Sequence, residues 1–148
     1  MSVKKVALAV MIASLFSINT TFSASNDDTL LGRMIVADFV HEMVQCSVFY
    51  SILGQGKDAE GNSVQSLTKF QGLSERLILR AADLSKDIEM KNESLIAIME
   101  RERTQMAEKI NYDAVNISIL MKEYGQHCKS VVENPTDRMI YWMNKDRS

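Results

Sequence analysis

Residues 28–53 read DTLLGRMIVADFVHEMVQCSVFYSIL. Within them Ile35, Phe39, Met43, Cys46, Tyr50 and Leu53 recur every three or four positions, and Val36, Val40 and Val44 widen that apolar stripe. Asp38, His41, Glu42 and Gln45 fall together on the other side. This is the pattern of an amphipathic helix lying against a core. It predicts a helix over 28–53 whose polar side, His41 included, meets water. Gly54, Gly56 and Gly61, with Asp58 and Asn62 between them, predict a polar loop after it.

The same periodicity continues down the chain. From about Ser63, Leu67, Phe70, Leu73, Leu77, Ala81, Leu84 and Ile88 mark a second helix. Gly72 within it costs about 1 kcal/mol relative to Ala. The apolar pattern lapses near Lys91 and Asn92, where the chain is expected to reverse and Asn92 to cap a new helix. Leu95, Met99, Met106, Ile110, Ile117, Leu120, Tyr124, Cys128 and Val131 then hold one face, which predicts a third helix running from 95 to 131. Asp113 falls inside that stripe and requires either a kink or a helix end there. Asn134 is a good N-cap, Pro135 suits the first helical position, and Met139, Ile140, Trp142 and Met143 give a short apolar helix. No alternating β pattern of useful length occurs. The expected fold is all-α: an antiparallel helical bundle of three long helices plus a short C-terminal helix, in a single domain over 26–148.

Residues 1–25 read as a secretory signal peptide. Lys4 and Lys5 precede an apolar run from Val6 to Ile18, and cleavage after Ser23 or Ser25 fits the small-x-small rule. That run of 13 residues falls short of the roughly 20 that a membrane-spanning helix needs. The expected product is soluble, without a membrane anchor after cleavage, and periplasmic or secreted. Of the full chain's 148 residues, 46% are hydrophobic and 24% charged, the balance of an ordinary globular protein. The formal net charge is -2. Removing residues 1–25 takes away two lysines and no acids, leaving 15 basic against 19 acidic side chains and a charge of -4. That balance argues against binding to nucleic acid or anionic lipid and would at most suit a basic protein partner.

Two cysteines remain, Cys46 and Cys128, each on the apolar stripe of its helix. In an exported chain such a pair predicts a structural disulfide. They stand 82 positions apart, so the bridge is worth about 4–5 kcal/mol in the chain-entropy model. An up-down-up order would make helices one and three parallel, with both cysteines toward their C-terminal ends. A redox pair would usually be C-x-x-C, which is missing. A buried reduced pair is the other alternative.

Few residues invite chemistry. His127 lies beside Cys128 and His41 five positions before Cys46, but a disulfide would remove both thiols from any metal or nucleophile site. Met43 and His127 are the only nominees for haem axial ligands, there is no C-x-x-C-H attachment motif, and no cofactor is expected. The run Glu100, Arg101, Glu102, Arg103 reads as a solvated face with helical ion pairs. G-x-S-x-G, H-E-x-x-H and phosphate-loop motifs are missing. Asn92-Glu93-Ser94 and Asn116-Ile117-Ser118 are glycosylation sequons that matter only in a eukaryotic secretory route. The C-terminal helix carries Arg138, Met139, Tyr141, Trp142 and Met143 in a stretch too short to bury them all. Arg138, Tyr141 and Trp142 are therefore the expected partner-binding residues, with Tyr141 exposed.

Cys46-x3-Tyr50, matched by Tyr124-x3-Cys128-x6-Pro135-x2-Arg138-x3-Trp142, resembles a diffuse group of small exported bacterial helical proteins with paired cysteines. The resemblance spans most of the chain after residue 25. It implies a paired-cysteine helical domain in a Gram-negative periplasm and carries over no activity. The expected role is non-enzymatic, through contact with another protein, as an inhibitor, an immunity protein or an accessory subunit. A small-ligand or haem-binding bundle and a hydrolase with an unrecognised site are the alternatives.

Overall fold

The computed structural model describes residues 26–55 and 65–145, so the expected signal peptide over 1–25 and the heart of the glycine-rich loop lie outside the described residues. The described chain forms five α-helices and no strand: α1 (Asn26–Leu53), α2 (Gln65–Asp87), α3 (Asn92–Lys109), α4 (Ile117–Glu133) and α5 (Pro135–Lys145). A 3₁₀ turn at Ala114–Asn116 leads into α4.

α1 is the axis of the molecule. Val40, Met43, Val44, Cys46, Val48, Phe49 and Tyr50 are all buried, and they point in every direction around the helix. A helix apolar on nearly all sides must be surrounded, and α2, α3, α4 and α5 all pack on it. α2 runs antiparallel to α1: Tyr50 stacks on Phe70, Ser47 hydrogen-bonds the Ser74 carbonyl at 3.0 Å, and Arg33 pairs with Glu89 beyond the far end. At the joint, Gly54 packs so closely on Gln71 that a Cβ would come within 2.7 Å of its Cγ. Gln71 Nε2 also donates to the Gly54 carbonyl at 3.0 Å.

The single third helix expected over 95–131 is two helices. Asn111 and Tyr112 both have positive φ, at 51° and 56°, which ends α3 and turns the chain. The Tyr112 amide donates back to the Ala107 carbonyl at 2.8 Å and Asn116 Nδ2 to the Ile110 carbonyl at 3.0 Å, satisfying the last turn of α3. Asp113, the acid inside the stripe, sits at a helix end, where its carboxylate accepts from the Val115 amide at 2.9 Å. Both helices bury a face on α1, so the apolar phase survives the reversal and periodicity alone does not register it. Asn92 is the first residue of α3, preceded by Lys91 at the cap position with no side-chain cap. Pro135 opens α5 as expected.

Cys46 and Cys128 are joined by a disulfide, S–S 2.06 Å and Cα–Cα 5.2 Å. It does not join parallel helices, as the up-down-up order would have it. Phe49 meets Tyr124 and Cys46 meets Cys128, while Met43 and Val131 line one pocket, so α4 descends antiparallel to α1. The bridge sits halfway along a buried interface, with both cysteines fully buried.

Candidate functional site

Two clefts flank the axis helix, one polar and one apolar. The polar one is built on Asp38, His41, Glu42 and Gln45, which occupy positions i, i+3, i+4 and i+7 and so share one face of α1. That face is only partly solvated: His41 meets water as expected from sequence, but Glu42 does not. Glu42 is only 7% exposed, covered by α4 and α5, and the other three are half-buried. The signal that could have shown this is the valine ladder around α1, which leaves no side of the helix truly polar.

Each buried carboxylate there is held by partners from another helix. Glu102 of α3, 3% exposed, accepts from His41 Nε2 at 2.8 Å and from Gln45 Nε2 at 2.9 Å, with the Arg101 guanidinium 3.5 Å away. Glu102 is therefore not part of a solvated charged run. Burial would raise its carboxyl pKa, but the hydrogen bonds from His41 and Gln45, with the charges of His41 and Arg101, hold it below its ordinary value. Glu42 accepts a forked pair of bonds from Arg138 of α5, and His127 of α4 lies 3.4 Å from it. Burial pushes the His127 imidazole pKa down; Glu42 pulls it up and Arg138 pushes it down further.

Between these pairs opens a cleft of about 490 Å³, bounded by the α1 stripe, His127, Arg138, Tyr141 and Trp142. Its chemistry is that of two imidazoles, the Glu42 carboxylate held by Arg138, and the Asp38 carboxylate. No serine, threonine or cysteine lines it. Trp142 Nε1 is buried there without a hydrogen-bond partner among the described residues. No group of three His, Cys, Asp or Glu side chains suited to a metal ion occurs among the described residues. Met43 lines a different cleft from His127, so those two do not face a shared haem site.

The three residues expected to bind a partner are brought together on α5 and turned partly inward. Arg138 spends its guanidinium on Glu42 and lies over the Tyr141 ring, 4.3 Å from its centroid. Trp142 is half-buried and covered on one face by Lys145 at 4.2 Å. Tyr141 is 45% exposed.

The second cleft was not visible in the sequence. α2 and α4 both pack on α1 but scarcely touch each other. Two hollows of about 430 and 150 Å³ lie between them, and they continue through shared lining residues into a third of about 1040 Å³ among the end of α1, α3 and the start of α4, to which α2 contributes Phe70. α1 supplies the floor with Tyr50 and Leu53, α2 one wall with Phe70 and Leu73, and α4 the other with Met121 and Val132. Gly125 of α4 also faces this space, and a Cβ there would meet nothing within 4 Å. The far end opens beside the α3–α4 turn, where Tyr112 is 72% and Val115 85% exposed. Two adjacent left-handed residues hold Tyr112 out, a costly backbone for a tyrosine. The available sequence signals were the Asn111–Asp113 turn cluster, which ends α3, and Gly125 in the middle of α4. The chain matches no known protein family, no curated protein and no solved structure.

Proposed function

We propose that the protein acts without catalysis, by contact with another protein, and that the apolar groove between α2 and α4 is the contact surface. The observation that carries this reading is the groove itself: its largest hollow, about 1040 Å³, is open to solvent and mainly apolar, with Tyr112 and Met121 at its edge. Continuous exposed apolar surface of this kind marks sites of contact with a protein, a membrane or a ligand. The role would be that of an inhibitor, an immunity protein or an accessory subunit. An exported setting agrees with the buried disulfide, which forms and persists in oxidising compartments. No helix among the described residues is long and apolar enough to cross a membrane.

A photo-crosslinking residue placed at Met121, in the exported fraction of the native host, tests the surface. The expected result is one discrete adduct, missing when the probe replaces Leu79, which is exposed and lines none of these clefts. An adduct from Tyr141 and none from Met121 would move the surface to α5, where Arg138, Tyr141 and Trp142 lie. A second reading, a hydrolase, is favoured by His41 and His127 converging on one open polar cleft. Its weakness is that Glu42 is already paired with Arg138 and that no serine, threonine or cysteine among the described residues lines the cleft. Hydrolytic activity lost in both His41→Ala and His127→Ala would establish it over the contact reading.

A further inference from the structure

The groove between α2 and α4 has a definite shape and a definite charge, and together they select an occupant. Its wall on α4 runs from Ile117 to Val132. At 1.5 Å per residue that is about 22 Å, the length of a four-turn helix. α2 and α4 stand apart on α1, and at the Ile117 end the gap between them is bounded by Arg103, Thr104 and Ala107 of α3.

The rim is basic in a chain whose net charge is negative. On α2, Lys69, Arg76 and Arg80 follow at spacings of seven and four, one stripe along the edge of the groove. Arg103 stands at the open end and Lys129 on the α4 side. The acid on this rim, Glu133, is within 4.0 Å of Lys129. Lys69, Arg76, Arg80 and Arg103 make no ion pair among the described residues.

We infer that this groove binds an amphipathic helix of the partner protein, with its apolar stripe on the Tyr50–Leu53 floor and acidic residues facing Lys69, Arg76 and Arg80. This rests on the reading of the protein as one that works by protein contact. The mode is helix-in-groove recognition, in which buried apolar anchors supply affinity and flanking charge supplies orientation. A single acyl chain would match the apolar floor and basic rim as well, but small-molecule sites enclose most of their ligand. This groove is only partly enclosed, with Tyr112 and Met121 exposed at its edge.

Two synthetic peptides of about 16 residues test it. Both carry one leucine stripe at helical spacing; one is flanked by Glu and the other by Lys. Their binding to the full exported chain, with its disulfide intact, is read by fluorescence anisotropy. The Glu peptide should bind at least about tenfold tighter at about 50 mM salt, with the advantage shrinking at about 0.5 M as the rim charges are screened. Arg76→Glu with Arg80→Glu should invert the preference. Gly125→Trp fills open space, so it should keep the fold, checked by circular dichroism, and weaken both peptides more than about tenfold.

Equal binding of the two peptides, or binding of neither, overturns the acidic helix. So does oleate binding in the groove with both peptides inert. The crosslink from Met121 separates the two failures. An adduct mapping to an extended or basic partner segment overturns the helix and leaves protein contact standing, whereas no adduct and no peptide binding overturn both.

Discussion

Glu102, at 3% exposure, is better buried than Leu53, Leu77 or Leu95. A carboxylate in that position is tolerable only because His41 and Gln45 supply donors to both of its oxygens. Its lowered pKa sets the sign of a pH effect. The folded state holds the carboxylate ionised where the unfolded chain would bind a proton. Stability is therefore full above the unfolded value, about 4.3, and is lost as pH falls through the lower folded one. His127 acts in the same direction at higher pH. Its folded pKa is depressed, so between about 6.5 and that lower value the unfolded chain takes up a proton that the folded chain refuses. Stability should thus decline in two stages as the protein is acidified. Urea midpoints at several pH values would show both, and His127→Gln should flatten the upper stage alone. The Arg138–Glu42 pair is a clamp between α5 and α1 of the same kind. Arg138→Ala leaves Glu42 buried with only His127 beside it and should cost about 2–4 kcal/mol. Adding Glu42→Gln should recover part of that loss in a double-mutant cycle. Full additivity would show that the pair is not coupled.

At the scale of helices, existence was legible and boundaries between them were less so. The 3.6-residue period identifies α1, α2 and α5 because each turns apolar residues toward the core, only partly buried in α5, and because Gly54 follows α1 and Pro135 opens α5. It fails between α3 and α4 because phase counts residues and is blind to direction. The polar cleft was hidden for a related reason: a stripe of Asp, His, Glu and Gln on one helix says nothing about whether another helix covers it. What did mark the α3–α4 break was chemical. Asn tolerates the left-handed conformation that Asn111 adopts, and Asp113 is a natural cap. Tyr112 is the exception, left-handed without a side chain suited to it. Tyr112→Gly should raise stability by about 1 kcal/mol, because its ring is mostly exposed and glycine bears no Cβ penalty. A loss in thermal denaturation would mean that contacts of the ring outweigh the backbone strain. Gly125→Ala in α4 should likewise stabilise, by about 0.5–1 kcal/mol, since the added Cβ meets open space.

For the molecule as a whole, the disulfide decides how firmly the second half of the chain is fastened to the axis. α1 and α2 share by far the broadest interface in the fold; α4 and α5 hold to α1 through smaller ones. α4 contributes Leu120, Tyr124, Cys128 and Val131 to the core, and α5 adds no fully buried residue. The Cys46–Cys128 bridge crosses 82 positions of sequence, so it removes much of the freedom with which an unfolded α4 could leave α1. A loop of that length is worth about 4–5 kcal/mol in the chain-entropy model, against a total stability of about 5–15 kcal/mol for a domain. Both sulfurs are shielded, since both cysteines are fully buried. A reductant should therefore act slowly on the native protein and quickly once denaturant opens the α1–α4 interface. Replacing both cysteines with Ala should lower stability by about 2–5 kcal/mol. Hydrogen exchange then locates the damage. Amides of α4 and α5 should lose protection together while those of α1 and α2 keep most of theirs, because the Tyr50–Phe70 and Ser47–Ser74 contacts do not depend on the bridge. Uniform loss along the whole chain would instead mean that all five helices unfold as one unit. In that case the groove between α2 and α4 would exist only while the disulfide is closed.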